Sequence, residues 1–245
     1  MSSSIQRVIR LPGDQIIVDK NVSIEGSNIN ISLYKLSENI YVITTVSLQD
    51  IGEDDKKIRI IPLKGRYIPK EGDIVIGIVT DVTLSSWLVD IKSPYLAILN
   101  ASDYIGKSFN PSSENIRKYL DVGDVVIAKI AQFDRTRLPI LTVQDKGLGK
   151  VVSGSLIEIE PIKVGRVIGK KRSMITMLSE QTKCEFVVGV NGRILLRCPD
   201  PELEYVAILA IKKIEAEAHT TGLTERIKEF ILNEKVKRGL IKFEG

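Results

Sequence analysis

Apolar residues recur at every second position from Ile5 to Val143, in short runs cut by Pro-Gly, Glu-Gly, Gly-Asp and Asn-rich turns, and a helical period takes over only beyond Gly149. A chain patterned this way must build its first part from antiparallel strands and its last part from strands and helices together. The expected class is therefore mixed, mainly β followed by α+β. With 245 residues there is enough chain for two or three domains, each burying its own core. The turn signals divide it at 1–63, 64–147 and 148–245.

Charge follows the same division. The formal net charge is +4, and residues 1–149 carry 18 Lys and Arg against 18 Asp and Glu. The excess lies wholly in residues 150–245. Lys163, Arg166, Lys170, Lys171 and Arg172 form a window without a single acid, a pattern that suits a polyanion and also occurs on ordinary solvated faces. No apolar run is long enough to span a membrane, and "MSSSIQRVIRLPGD" has no signal-type core, so a cytoplasmic protein is expected. Ile is abundant (36) and Gln scarce (6), a bias that fits a thermophile with an AT-rich genome.

Two cysteines and one histidine restrict the chemistry. Cys184 and Cys198 have no partner at zinc-ligand spacing, and His219, in "EAEAHTTG", reads as a surface residue near a helix end. Neither a metal site nor a catalytic triad is expected, and no cofactor. The cysteines flank a hairpin and would face each other across a three-residue loop or miss by one across a two-residue loop. Two reduced, half-buried thiols are the expectation for a cytoplasmic protein.

Residues 1–63 read as a small β-domain ("QIIVDKNVSIEGSNINISLY", "NIYVITTVSL", "KIRIIPL"), with "DIGEDDKK" as an exposed hairpin loop to which no ligand is assigned. In 64–147 the runs "IVIGIVTDV", "SSWLVDI", "YLAILNAS", "VVIAKIAQF" and "LPILTV" give five strands with a long connector after the third, the order of an OB barrel. Gly72-Asp73 before the first strand, Val89-Asp90-Ile91 closing the second and Val122-Gly123-Asp124 before the fourth resemble the S1 domain, an RNA-binding OB module. Against that family's pattern, Leu88 stands at the usual aromatic position and Asn100 at the usual histidine. Alternation puts Trp87 on one face with Val89 and Ile91, which favours the core, with an RNA-facing ring as the other reading. Arg135 and Arg137, in the "FDRTRLP" turn at the rim, are placed for phosphate contact or form a solvated turn.

In 148–245, strand "SLIEIEP" is followed by a short helix, a loop, a helix, a hairpin turning at Asn191-Gly192 and a long helix with Leu203, Val206, Ile208, Leu209 and Ile211 toward its buried side. This β-α-α-β-β-α order, with Val164, Gly165, Ile168 and Gly169 on the "VGxxIG" pattern, resembles a type I KH domain. The family's clamp loop is G-x-x-G, whereas this chain has Gly169-Lys170-Lys171-Arg172. Left-handed backbone at Arg172 is costly, so the resemblance implies electrostatic, non-specific RNA contact through Arg166, Gly169, Lys170, Lys171 and Arg172, with packing against partners as the other reading. The helix in "LTERIKEFILNEKVKRGL" is expected to dock Ile227, Phe230 and Ile231 on its own domain.

A small β-domain, an S1-type barrel and a KH domain in this order, with "PLKGRYIPKEGD" at the first junction and "GVNGRILL" in the KH hairpin, resemble the KH-containing cap subunit of the archaeal RNA exosome. The resemblance covers nearly the whole chain. It implies a non-catalytic subunit, three per hexameric ring of phosphorolytic RNase subunits and accompanied by the other cap protein. Its N-terminal domain would dock on the ring, and its barrels would line the pore that single-stranded RNA 3′ ends, A-rich tails among them, enter. A free-standing RNA-binding factor in translation or RNA chaperoning is the alternative. A third reading, a hydrolytic nuclease holding magnesium on Asp54, Asp55 or Asp134, needs carboxylates that converge, and these fall in separate loops.

Overall fold

The computed structural model describes residues 6–18, 23–25, 33–51, 57–63, 65–106, 109–110, 114–218, 220 and 222–240. They fall into two compact units, Met1–Arg66 and Tyr67–Gly245.

The first unit consists of two small sheets. One contains β1 (Gln6–Arg10), β6 (Ser47–Ile51), β7 (Lys57–Pro62) and β3 (Ser23–Glu25) in that spatial order. The other contains β2 (Gln15–Ile17), β5 (Ile40–Ile43) and β4 (Leu33–Lys35). Alternation sends Ile16, Leu33, Ile43 and Ile60 into a shared core with Val18. The opposite faces stay open: Ile17, Tyr34 and Leu36 on one sheet and Ile9 on the other are exposed. Asp54 and Asp55, and most of the acidic stretch around them, lie outside the described residues, as does His219.

The second unit begins with the barrel: β8 (Ile74–Val82), β9 (Ser86–Asp90), β10 (Leu96–Asn100), β11 (Val125–Gln132) and β12 (Ile140–Thr142). β12 pairs with β11 and, in parallel, with β10, which closes the barrel, and β13 (Gly149–Lys150) extends it beside β11. Val75, Val79, Trp87, Val89, Ile91, Leu99, Val126 and Ile130 fill the interior. Trp87 is fully buried, its indole N–H donating to the Leu120 carbonyl at 2.8 Å. It therefore packs in the core. Ile74, Ile76 and Ile78 share the outer face of β8. The connector after β10 contains a short helix that periodicity did not suggest, α1 (Ala101–Ile105).

Next come β14 (Ser155–Glu158), α2 (Val164–Ile168), α3 (Ser173–Thr182), β15 (Glu185–Val188), β16 (Arg193–Arg197) and α4 (Pro201–Ala216), the order expected of a KH-type fold, followed by α5 (Leu223–Lys237). The sheet runs β14-β16-β15. Asp200 caps α4 by accepting from the amides of Glu202 and Leu203, and Pro201 takes the first helical position. α4 buries Val206, Ala207, Ala210, Ile211 and Ile214, while Leu203, Ile208 and Leu209 reach only its half-buried flanks. Ile227 and Ile231 of α5 are fully buried against the same core.

The other face of this sheet meets the barrel: Leu195 packs with Ile76 and Ile127. The β15–β16 turn closes the contact. Val190 donates to the Ile74 carbonyl at 3.0 Å, and buried Asn191 donates to the carbonyls of Ile76 and Ile91 at 2.8 and 2.9 Å while accepting from the Ile76 amide. Arg193, its side chain 4% exposed, bonds the Asp90 carboxylate and lies 2.8 Å from Glu158. Burial raises the Glu158 carboxyl, but Arg193 and Lys92 outweigh it and hold the group below its ordinary range.

One expectation fails here. Cys184 and Cys198 form a disulfide rather than two thiols. The register that pairs Glu185 with Arg197 and Val188 with Ile194 continues to a Gly189–Arg193 pair, leaving a three-residue loop, Val190–Gly192. The cysteines therefore stand directly opposite, with Cα atoms 4.2 Å apart, the spacing of a non-hydrogen-bonded antiparallel pair. Asn191-Gly192 taken as a two-residue turn would have offset them.

Candidate nucleic-acid interface

The outward faces of β9 and β10 form a continuous surface because every second residue on each strand points into the barrel. Register pairs Ser86 with Asn100, Leu88 with Ile98, and Asp90 with Leu96. The middle of this surface is an aliphatic pad, Leu88 and Ile98, where a stacking aromatic stands in the S1 pattern. In OB folds the second and third strands and the loops after the first and fourth take up oligonucleotides. Those loops are Thr83–Ser85, with Leu84 82% exposed, and 133–139.

The 133–139 loop carries Arg135 and Arg137, both exposed. Asp134 shapes it, accepting from the Thr136 hydroxyl and amide at 2.8 and 2.9 Å and from the Arg137 amide at 3.3 Å. These bonds, the Thr136 hydroxyl first, hold the Asp134 carboxyl below its ordinary range. Arg135 adopts φ 68°, uncommon for a residue with a Cβ. Neither arginine forms a salt bridge among the described residues. Tyr95, which precedes β10, packs edge-on against Phe133 with ring centres 5.1 Å apart, so the loop lies at the start of β10. Asn100 lies at its far end. The two arginines and Asn100 therefore flank the pad from opposite sides.

The second predicted patch, the α2–α3 loop, is built differently. A Cβ on Gly169 would fall 2.7 Å from the Met174 amide nitrogen, and φ there is 74°, so this position accepts only glycine. Lys171 and Arg172 both take left-handed backbone, at φ 51° and 66°. The loop thus turns through left-handed backbone at two residues that carry a Cβ, Arg172 at the missing second glycine among them. Lys170, Lys171, Arg172 and Arg166 all point into solvent. Arg166 and Lys170 line a cleft of about 370 Å³ that Thr220 and Gly222–Glu225 close from the α5 side. The helices cover the sheet face opposite the barrel, so the two basic patches are separate.

Residues that the sequence reading passed over complete the picture. Asn191 was read only as a turn former, yet its amide makes three bonds to the barrel; the clue was an Asn-Gly loop one residue longer than the tightest hairpin. Ser102, Asp103 and Gln144 surround Asn100 in an open, polar depression of about 490 Å³. Nothing in local pattern joins positions so distant in the chain. Among the described residues no three His, Cys, Asp or Glu side chains could hold one metal ion, and no helix is long and apolar enough to cross a membrane. Asp134 is engaged in its own turn.

Comparison with known proteins places this architecture. Residues 66–132 match the family model described as "RRP4, S1 domain". The exosome complex component Rrp4 of Ignisphaera aggregans is 68% identical over 98% of this chain and 95% of its own length. That of Sulfurisphaera tokodaii is 46% identical over 94% and 90%. A crystal structure described as an exosome complex RNA-binding protein superposes with a TM-score of 0.68 at 49% identity, covering 71% of this chain and 99% of the other. With identity this high over nearly the full length, the chain belongs to the Rrp4 family of exosome complex components.

Proposed function

We propose that this chain is a non-catalytic RNA-binding cap subunit of a cytoplasmic exosome: it captures single-stranded RNA 3′ ends, A-rich tails among them, and passes them to a phosphorolytic RNase ring. The carrying observation is the β9–β10 face, an aliphatic pad flanked by two exposed arginines at one end and the exposed Asn100 amide at the other. Arg135 and Arg137 hold phosphates, Asn100 meets a base, and Leu88 and Ile98 support base faces. The α2–α3 loop adds sequence-independent attraction through Arg166, Lys170, Lys171 and Arg172, with Gly169 keeping the backbone accessible. Residues 1–63 form the ring-docking domain, 64–147 the S1-type barrel and 148–245 the KH-type domain. Three such caps on one hexameric ring, together with the other cap protein, convert weak individual sites into useful avidity.

Two measurements test this. Tagged full-length chain recovered from native extract is expected to co-elute with two phosphorolytic RNase subunits in a large complex; elution alone or with ribosomes favours the free-standing factor. In RNA titrations of the purified chain, Arg135→Ala with Arg137→Ala is expected to lower the salt slope by about 1.4, two phosphates at roughly 0.7 each on a single strand. An unchanged slope removes the arginines from the interface.

A further inference from the structure

The outward residues of β9 are Ser86, Leu88 and Asp90, and they face Asn100, Ile98 and Leu96 of β10. Asp90 is the one acidic side chain of the six, and it stands at the end of the face to which the 133–139 loop brings Arg135 and Arg137. A carboxylate there opposes the arginines, since it repels the phosphates that they attract. Its side chain is 34% exposed, so burial does not hide the charge.

The charge is met from outside the barrel. One Asp90 carboxylate oxygen accepts from the Lys92 amide at 2.9 Å and the other from Arg193. Arg193 opens β16, beside the turn that Asn191 fixes to the barrel. Its guanidinium also donates to the Asp90 and Ile76 carbonyls and, through Nε, to Glu158 at 2.8 Å. With its donors spent in this way and its side chain 4% exposed, it has no surface to offer a phosphate. Glu158 has a cation of its own, Lys92 Nζ at 3.2 Å. Two cations thus stand against two carboxylates, and the share of Arg193 falls to Asp90.

We propose that Arg193 is a positioning residue for RNA on the β9–β10 face: reaching over from the KH-type sheet, it cancels and anchors the Asp90 carboxylate, so that a phosphate backbone runs from the loop arginines onto the Leu88–Ile98 pad without crossing a net negative charge. The proposal rests on the RNA-binding reading of this face and adds that the barrel binds at full strength only with the KH-type sheet beside it. Arg193 acts through Asp90 and touches no RNA. An effect of charge fades as salt rises, whereas an effect of broken packing does not.

The test is fluorescence anisotropy of the full-length chain with a labelled single-stranded RNA oligomer at low and high salt, each variant read as a ratio to wild type. Arg193→Met, which keeps an unbranched side chain and loses the charge, is expected to weaken binding about five-fold at low salt and less at high salt. Adding Asp90→Asn to it should restore wild-type affinity although the guanidinium contacts stay broken. Adding Glu158→Gln instead should restore nothing, since that carboxylate keeps Lys92 and stands on β14, off the face. Asp90→Asn alone leaves Arg193 in place and should bind about two-fold more tightly than wild type, a readout independent of how well Arg193→Met folds. Unchanged affinity in Arg193→Met, a loss that Asp90→Asn leaves uncorrected, a loss equal at both salts, or weaker binding by Asp90→Asn alone overturns the positioning role while the RNA-binding face stands. Absence of binding by wild type overturns the face and the role with it.

Discussion

At the scale of single residues, side chains with unusual commitments carry most of the information. Asn191 is one: it makes three hydrogen bonds to the barrel backbone, and if it is shortened the Ile76 amide and the Ile91 carbonyl lose this partner while the Ile76 carbonyl keeps Arg193 at 3.3 Å. Asn191→Ala is expected to destabilise the protein by about 2–4 kcal/mol in denaturant unfolding, since a buried carbonyl and an amide lose partners that water cannot replace. A loss below about 1 kcal/mol would mean that solvent reaches this contact. Arg172 is the opposite case. Its left-handed backbone costs roughly 1 kcal/mol or more, partly offset on change to glycine by the freer unfolded chain. Arg172→Gly should therefore stabilise by about 0.5 kcal/mol while weakening RNA binding, because a cation leaves the patch. Trp87 was legible from alternation alone, whereas Asn100 was legible only as a motif position: that it declines its local cap is a fact of three-dimensional placement.

Elements were legible where their logic is local. Alternating runs and turn residues located the barrel strands, and the capping Asp200 with Pro201 marks the start of α4 where the pattern places it. What pairing does over distance was not: β12 lies parallel to β10, and α1 sits inside what reads as a plain connector. The β15–β16 hairpin joins both lessons. One extra loop residue shifts register, and register decides whether Cys184 and Cys198 meet. Their disulfide spans a sequence separation of 14 and ties the free edge strand β15 to β16, the strand whose turn holds the barrel. Cross-linking a loop of this length restricts the unfolded chain by about 3 kcal/mol. Melting under a dithiol reductant, or of Cys184→Ser with Cys198→Ser, is expected to fall by roughly 6–12 °C. An unchanged midpoint would show that the hairpin is held by β-pairing and the barrel contact alone.

For the molecule as a whole, the division of labour follows from which surfaces each unit leaves unfinished. In Tyr67–Gly245, one face of the β14–β16–β15 sheet is closed by helices and the other by the barrel, and the exposed cations gather at two places: the rim of the β9–β10 face, with its arginines, and the α2–α3 loop. Among the described residues of Met1–Arg66 one sheet presents an apolar patch, with Ile17, Tyr34 and Leu36 exposed at 73%, 62% and 56%. Contiguous apolar side chains on a small unit mark a protein contact rather than a nucleic-acid one. If that contact is the ring, Tyr34→Glu with Leu36→Glu should abolish co-elution with the RNase subunits, because two carboxylates would be buried without partners. RNA binding by the isolated chain should keep its affinity and salt slope, since Arg135, Arg137 and the loop cations are untouched. Loss of both together would mean that the two carboxylates unfold the first unit or that RNA also runs over it, and a circular dichroism melt of the variant separates these. Retained co-elution would move the docking surface to the other sheet, where Ile9 is 63% exposed.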